Sequence, residues 1–217
     1  MDAHADALTL RVARVLAPVT VLGPGRRVAV WVQGCALACP GCASRDTWDA
    51  AAGTLVPVTA LADRLADAVA ADGLDGLTLT GGEPTDQAAA LTALVVALRE
   101  RRPGLDVLLF TGRELSAARA LAPGLVAAST CVVAGPYRRD RATPGHRLLA
   151  TANQELRIAP EASGRYEDWL AEPEPPRLQV FAEGDGLYLV GLPAPGDLDR
   201  FRRELGERGV ELEGVSW

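Results

Sequence analysis

Short apolar runs alternate with amphipathic stretches from residue 28 to residue 158, and no other feature of the 217-residue chain restricts its fold as much. Such alternation is the pattern of βα units, in which consecutive strands lie parallel and the helices between them cover the sheet. RVAVWVQG at 27–34 reads as the first strand of the series. Leu61, Leu65, Ala68 and Val69 then recur at helical spacing between Thr59, the expected N-cap, and Gly73, the expected C-cap. GLTLT at 76–80 is the next strand and runs straight into GGEP. Asp86 is placed to cap a helix that carries Leu91, Leu94, Val95 and Leu98 on one face and ends before Pro103 and Gly104. DVLLFTG at 106–112 gives a third strand, with a helix near 114–121 after it. CVVAGPY at 131–137 gives a fourth and NQELRI at 153–158 a fifth.

The pattern changes after Ile158. Pro160, Pro173, Pro175 and Pro176 mark a linker, and RLQVFAEGDGLYLVGLP reads as two strands about a GDG turn. A helix from Asp197 to about Arg208 follows, and GVELEGVSW supplies a last strand. The expected architecture is therefore an α/β domain over 8–158 with a small α+β unit over 176–217. A hydrophobic content of 48% is enough for one such core and an appendage.

Within this frame, GCALACPGC at 34–42 sets Cys35, Cys39 and Cys42 in one short loop at the end of the first βα strand. No run reaches the roughly 18 apolar residues of a membrane span, and MDAHADALTL lacks the basic and apolar regions of a signal peptide. The expected location is the cytoplasm, where thiols stay reduced, so three close cysteines read as metal ligands or redox groups. Structural zinc takes four ligands, and a fourth is hard to find here. Cys131 sits within an apolar strand, where a small buried hydrophobe is the ordinary reading, and His4 and His146 fall in loop-like segments. Electron-transfer clusters also take four cysteines. Three cysteines on a four-iron cluster would leave one iron open to a substrate or cofactor.

That loop, together with GGEP at 81–84, resembles the radical S-adenosylmethionine enzymes, which have this cysteine spacing after the first barrel strand and a glycine-rich segment after the second. The closer resemblance is to the glycyl-radical-enzyme activases, and especially to the anaerobic ribonucleotide reductase activase group. It rests on GPGRRVAVWVQGCALACPGC (23–42), Trp48, GGEPTDQ (81–87) and the pair Asn153 and Gln154, and it covers roughly residues 8–158. The resemblance implies a partial (β/α) barrel of the radical adenosylmethionine type. It implies a 4Fe-4S cluster on Cys35, Cys39 and Cys42, and S-adenosyl-L-methionine bound to the open iron. Gly81, Gly82, Glu83 and Pro84 would hold the cofactor, largely through backbone that approaches closely where no Cβ intervenes, and Thr111 at the edge of the third strand would touch it. The activity implied is reductive cleavage to methionine and a 5′-deoxyadenosyl radical, which in the activases takes a hydrogen atom from a backbone glycine of a partner enzyme.

Some positions depart from the group's pattern. Ala43 stands where the activases usually carry an aromatic residue or His, Ser44 where many carry Asn, and Thr130 and Ala134 where aspartates are expected. Two other classes remain open: an enzyme of the same superfamily that modifies a small molecule or a natural-product peptide, and a non-enzymatic iron-sulfur or zinc module. The expected partners are a protein or peptide substrate and an electron donor such as a flavodoxin or ferredoxin. Arg138, Arg139, Arg141 and Arg147 crowd one loop of an acidic chain and offer a dock for an acidic partner, although a solvated loop is the more ordinary reading. Trp31 and Trp48 flank the cysteine loop, as an apolar shell or as plain core. A net charge of -6 gives no reason to expect nucleic acid, and no membrane association is expected.

Overall fold

The structure is a computed structural model and describes residues 8–173, 177–183 and 186–214. In chain order its strands are β1 (Thr9–Val19), β2 (Arg27–Val32), β3 (Thr54–Pro57), β4 (Gly76–Gly81), β5 (Asp106–Thr111), β6 (Cys131–Ala134), β7 (Glu155–Ile158), β8 (Leu178–Glu183) and β9 (Gly186–Gly191). The helices are α1 (Val58–Asp72), α2 (Ala88–Arg101), α3 (Leu115–Leu121), α4 (Pro123–Ala128), α5 (Ser163–Ala171) and α6 (Asp197–Glu207). Seven strands form one sheet in the order β3-β1-β2-β4-β5-β6-β7, and β8 pairs with β9 in a separate hairpin.

Only the centre of the sheet is the expected parallel array. β2, β4, β5 and β6 run parallel, whereas β1, β3 and β7 each pair antiparallel with a neighbour. The sheet is thus mixed but mostly parallel at its core and open at both edges. β1 and β3 are absent from the sequence reading: β1 lies ahead of the βα series, and β3 is a four-residue, mostly exposed edge strand with no apolar run to mark it. β7 returns after a loop rather than a helix, which is why it arrives antiparallel.

Both faces of the parallel strands are covered, so their side chains divide between two cores. Val28, Val30 and Val32 of β2, Val107 and Leu109 of β5 and Val132 and Ala134 of β6 pack under α1–α4. The alternate residues Ala29, Trp31, Leu108, Cys131 and Val133 face the other way. There they meet β8 and β9 through Phe181, Tyr188 and Val190, and α5 through Tyr166 and Trp169. Burial on both faces explains why these strands read as unbroken apolar runs.

Several local expectations change. Pro57, not Thr59, precedes the first turn of α1, while Gly73 caps it at φ 59° as expected. Asp86 caps nothing; it lies in a short 3-10 turn (Pro84–Gln87) ahead of α2 and pairs with Arg113 at 2.6 Å. The stretch after Pro160 is not a linker, because α5 buries Tyr166 and Trp169 against the sheet. Part of the proline segment (174–176), the tip of the GDG turn (184–185) and the end of the expected last strand (215–217) lie outside the described residues. Residues 209–214 are not strand.

At the N-terminal edge of the parallel strands, Arg27 is fully buried and forms an ion pair with Asp106 at 2.6 Å. It also donates to Thr78 Oγ1 at 2.7 Å and to the Leu77 carbonyl at 2.8 Å. Asp106 in turn accepts from Tyr166 Oη at 2.8 Å and pairs with Arg165, which ties α5 to the first residues of β2 and β5. A buried pair of this kind survives only when its remaining donors are also satisfied, and here they are. Among the described residues no helix is long and apolar enough to cross a membrane.

Candidate functional site

The cysteine loop begins where β2 leaves the sheet. Its root is fixed by backbone: Gly34 N–H donates to the Thr47 carbonyl at 2.8 Å and Cys35 N–H to the Trp48 carbonyl at 3.1 Å. Gln33 holds the returning segment by donating to the carbonyls of Asp46 and Asp49. Within the loop Cys42 N–H donates to the Cys39 carbonyl at 3.0 Å, and Ser44 N–H reaches Cys42 Sγ at 3.4 Å. Ala38 has φ 43°, a left-handed conformation that a residue with a Cβ adopts at some cost. The backbone N–H groups of Leu37 and Ala38 lie close enough to Cys35 to favour its thiolate. Burial pushes the Cys35 thiol up from its ordinary range, and these two donors pull the other way.

GGEP interlocks with that root. Gly82 N–H donates to the Val32 carbonyl and Glu83 N–H to the Gly34 carbonyl, each at 2.8 Å. A Cβ on Gly82 would lie 2.2 Å from the Gly34 carbonyl oxygen, and one on Gly81, at φ 104°, would lie 2.6 Å from Val32 N. Both glycines are required by backbone packed on backbone, whatever else approaches them. Glu83 is 1% exposed. Its Oε1 accepts from Thr85 N–H at 2.9 Å and from the hydroxyls of Thr85 and Thr111, each at 2.7 Å. Its Oε2 accepts from Gly112 N–H at 2.9 Å, so the carboxylate braces the ends of β4 and β5 together. Thr111 thus spends its hydroxyl on Glu83, and Pro84 is buried as the first residue of the 3-10 turn.

These segments border one cavity of about 740 Å³ at the C-terminal ends of β2, β4, β5 and β6. That edge is where α/β sheets hold ligands, because loops diverge there above the strands. Cys35, Cys39, Cys42, Gly81, Gly82, Glu83 and Thr111 all line the cavity, and Pro84 does not. Gln154 lines it too, and it pins the turn after β6 by donating to the Gly135 carbonyl at 3.1 Å while Asn153 donates to the Pro136 carbonyl at 2.8 Å. Among the described residues, Thr151 Oγ1 and Asn153 Oδ1 beside it are buried without a hydrogen-bond partner. Trp48 is at the wall, but Trp31 does not line the cavity and packs in the core with Leu16, Val19 and Val190.

The arginine loop divides. Arg139 lines the cavity and lies against Gly41 of the cysteine loop. Arg147 instead is buried, stacks 3.5 Å above the Trp169 ring and pairs with Glu172 at 2.7 Å. Thr130 lies at the opposite end of β6 from the cavity, its hydroxyl accepting from Val107 N–H. Cys131 is fully buried, and His146 Nδ1 accepts from the N–H groups of Leu148 and Leu149, so neither is disposed as a ligand. His4 lies outside the described residues. Sequence reasoning did not foresee Leu37, Tyr137 or the segment from Gly191 to Asp199, all of which reach the cavity. LPAPG between a strand and a helix was the available signal for the last of these.

Three thiols on one loop that open on the same cavity are a donor set that a four-iron cluster can use. All three loop cysteines are unpaired and partly exposed on the cavity. Among the described residues no three Cys, His, Asp or Glu side chains converge tightly enough to hold one metal ion. A four-iron cluster binds each sulfur to a different iron and so holds its ligands further apart than tetrahedral zinc does.

Residues 21–157 match the protein family described as a 4Fe-4S single cluster domain. Among curated proteins, the chain is 30% identical over 148 residues to the anaerobic ribonucleoside-triphosphate reductase-activating protein of Vibrio cholerae, spanning 64% of this chain and 92% of that one. It is 30% identical over 146 residues to the protein of the same name from Salmonella typhimurium, with 63% and 92% covered. The likeness to the Escherichia coli protein of that name is 29% over 143 residues, with 63% and 92% covered.

Proposed function

The chain belongs to the 4Fe-4S single cluster domain family, and from that premise we propose that it is a radical S-adenosylmethionine activating enzyme whose substrate is a protein, in the manner of an anaerobic ribonucleotide reductase activase. The observation that carries the reading is the shared cavity of Cys35, Cys39, Cys42 and the Gly81–Gly82 backbone. We assign the three cysteines as cluster ligands and Gly81, Gly82, Glu83, Pro84 and Thr111 as the cofactor-binding group, with Glu83, Pro84 and Thr111 acting through the shape they give the loops. The open sheet is read as the partial (β/α) barrel of that superfamily, with 8–158 as the main domain and 176–217 as the appended unit.

When bound, the cluster and adenosylmethionine supply one-electron cleavage of a carbon-sulfur bond and a carbon radical able to take a hydrogen atom. The chain's own residues orient and shield. The Gly34–Glu83 and Val32–Gly82 hydrogen bonds keep the cysteine loop and the glycine segment in fixed register, so that sulfurs and backbone face the same space. Glu83 prevents the ends of β4 and β5 from spreading. Leu37, Phe110 and Trp48 give part of the wall an apolar surface that keeps water off. Arg139, with its exposed neighbours Arg138 and Arg141, supports a docking place for an acidic electron donor such as a flavodoxin or ferredoxin next to the cysteine loop.

Anaerobic reconstitution tests the reading. The protein should take up about four iron and four sulfide per chain, and adenosylmethionine should perturb the spectrum of the reduced cluster. With a glycine-deuterated partner reductase, deuterium should move into 5′-deoxyadenosine and a glycine-centred radical should appear on the partner. Stoichiometric zinc without iron uptake, or deuterium arriving only from a small molecule, overturns it.

A further inference from the structure

One part of the cavity wall comes from outside the matched span of 21–157. Gly191, Leu192, Pro193, Ala194, Pro195, Gly196, Leu198 and Asp199 line the same space as the three cysteines. This segment is held at both ends. Upstream, Val190 is buried with Leu16, Val19 and Trp31, and Arg14 lies over the rings of both Trp31 and Tyr188. Gln179 of β8 donates to the Pro18 carbonyl at 2.8 Å and accepts from Thr20 N–H at 3.0 Å, which fastens the hairpin to β1. Downstream, Asp197 Oδ2 accepts from Ala194 N–H at 2.7 Å, Asp197 N–H donates to the Ala194 carbonyl at 3.0 Å, and Arg177 pairs with the same carboxylate at 3.3 Å.

The segment also closes against its neighbour. Where Leu192–Pro195 meets the 142–146 loop, the gap is about 20 Å³, room for about one water molecule. Pro193 and Pro195 carry no N–H, and the one at Ala194 is spent on Asp197, so apart from the Asp199 carboxylate this wall presents mainly hydrocarbon and few donors. The rest of the lining mixes thiols, glycine backbone, Gln154 and Arg139 with the apolar side chains of Leu37, Phe110 and Trp48. A cavity of this volume is of small-ligand size and admits no folded domain, so a donor inside a protein partner has to enter as a protruding segment of chain.

We propose that Gly191–Asp199 is an access wall of the radical chamber, with Leu192 and Leu198 as its selecting side chains: it narrows the entry to the width of a polypeptide segment, so that bulkier groups are kept out and an entering segment fills the opening against small hydrogen donors. The proposal rests on the activating-enzyme reading above, and its physical basis is separate from it. A carbon radical reacts with whatever hydrogen donor reaches it, so selectivity lies in what the walls admit. The appended hairpin, which covers the sheet face away from α1–α4, is the device that carries the wall to the cavity.

The test uses the full chain with a widened variant, Leu192→Ala with Leu198→Ala, and a narrowed one, Leu192→Trp. On iron-free protein, the cysteine loop is alkylated with iodoacetamide and with a bulky maleimide, and the rate ratio is read by mass spectrometry. Cys131 serves as an internal control, since its fully buried thiol labels only if the fold opens. The widened variant should raise the maleimide-to-iodoacetamide ratio at least several-fold with Cys131 unlabelled, and the narrowed one should lower it. On reconstituted protein with equal iron content, the widened variant should make several-fold more 5′-deoxyadenosine per partner radical. The narrowed one should lose partner radical while partner-free cleavage persists. An unchanged alkylation ratio in both variants overturns the wall, even if the wild type activates its partner. A wild type that yields no partner radical overturns the activating-enzyme reading instead.

Discussion

Replacing Glu83 by Gln separates two roles that the sequence cannot, cofactor contact and structural brace. The carboxylate accepts four hydrogen bonds, two from hydroxyls and two from the backbone N–H groups of Thr85 and Gly112. A carboxamide has one accepting end. Whichever way it turns, its NH₂ faces one of the two backbone donors, and hydroxyl rotation rescues only the threonines. The stranded N–H costs about 1–3 kcal/mol. The three bonds that remain lose charge assistance, about 1 kcal/mol each. Burying a neutral amide instead of a carboxylate returns some 2 kcal/mol. The expected net destabilisation is about 2–4 kcal/mol, a large part of a domain stability of about 5–15 kcal/mol. Urea unfolding of the iron-free protein followed by circular dichroism measures it, with Thr111→Val as the partner in a double-mutant cycle. The two substitutions should be non-additive, because they remove ends of the same contact. A Glu83→Gln protein within about 0.5 kcal/mol of wild type, with adenosylmethionine affinity lost at normal iron content, would falsify the brace and make the side chain a ligand contact.

Gly82→Ala should lower iron loading as well as cofactor affinity, since its Cβ would meet the Gly34 carbonyl at 2.2 Å and push on the residue before Cys35; an iron assay that stays normal while affinity alone falls refutes that. Asp106→Asn should cost about 3–5 kcal/mol by leaving the buried Arg27 without its counter-charge, yet iron per folded chain should not change, because the pair lies at the edge of the sheet away from the cavity. Cys131 gives a pH signature. Burial raises its thiol from 9.0 to about 12, so the folded state holds the proton that the unfolded state releases. The associated stability is intact below pH 9 and declines as pH rises from 9 toward 12, by about 1.4 kcal/mol per unit. Tyr166, also raised mainly by burial, adds loss in the same sense above pH 10. Urea midpoints of Cys131→Ala should therefore fall less steeply above pH 9 than those of wild type, and parallel curves would discard this account.

What the sequence by itself determined was local and one-dimensional. The spacing of Cys35, Cys39 and Cys42 is a chemical statement about a loop, and it needs only a strand before it to aim the sulfurs one way. The unbroken apolar runs at 28–32 and 107–110 specified strands buried on both faces, and Gly73 specified a helix end because only glycine takes its φ freely. Tertiary structure decided which residues meet. Whether Glu83 faces a ligand or braces two strands depends on Thr111 and Gly112, 28 and 29 residues away, and nothing in GGEP encodes that distance. Arg147 and Arg139 look alike in one loop. Packing puts the first on Trp169 of α5 and the second on Gly41 of the cysteine loop, two segments far apart in the chain. The antiparallel edges come from the pairing of β1 with β2 and β3 and of β7 with β6, and the reach of Leu192 into the cavity follows from Gln179 with β1 and Val190 with Trp31. Such contacts arise from satisfying backbone groups and apolar area across the whole chain, and no periodicity within a segment records them.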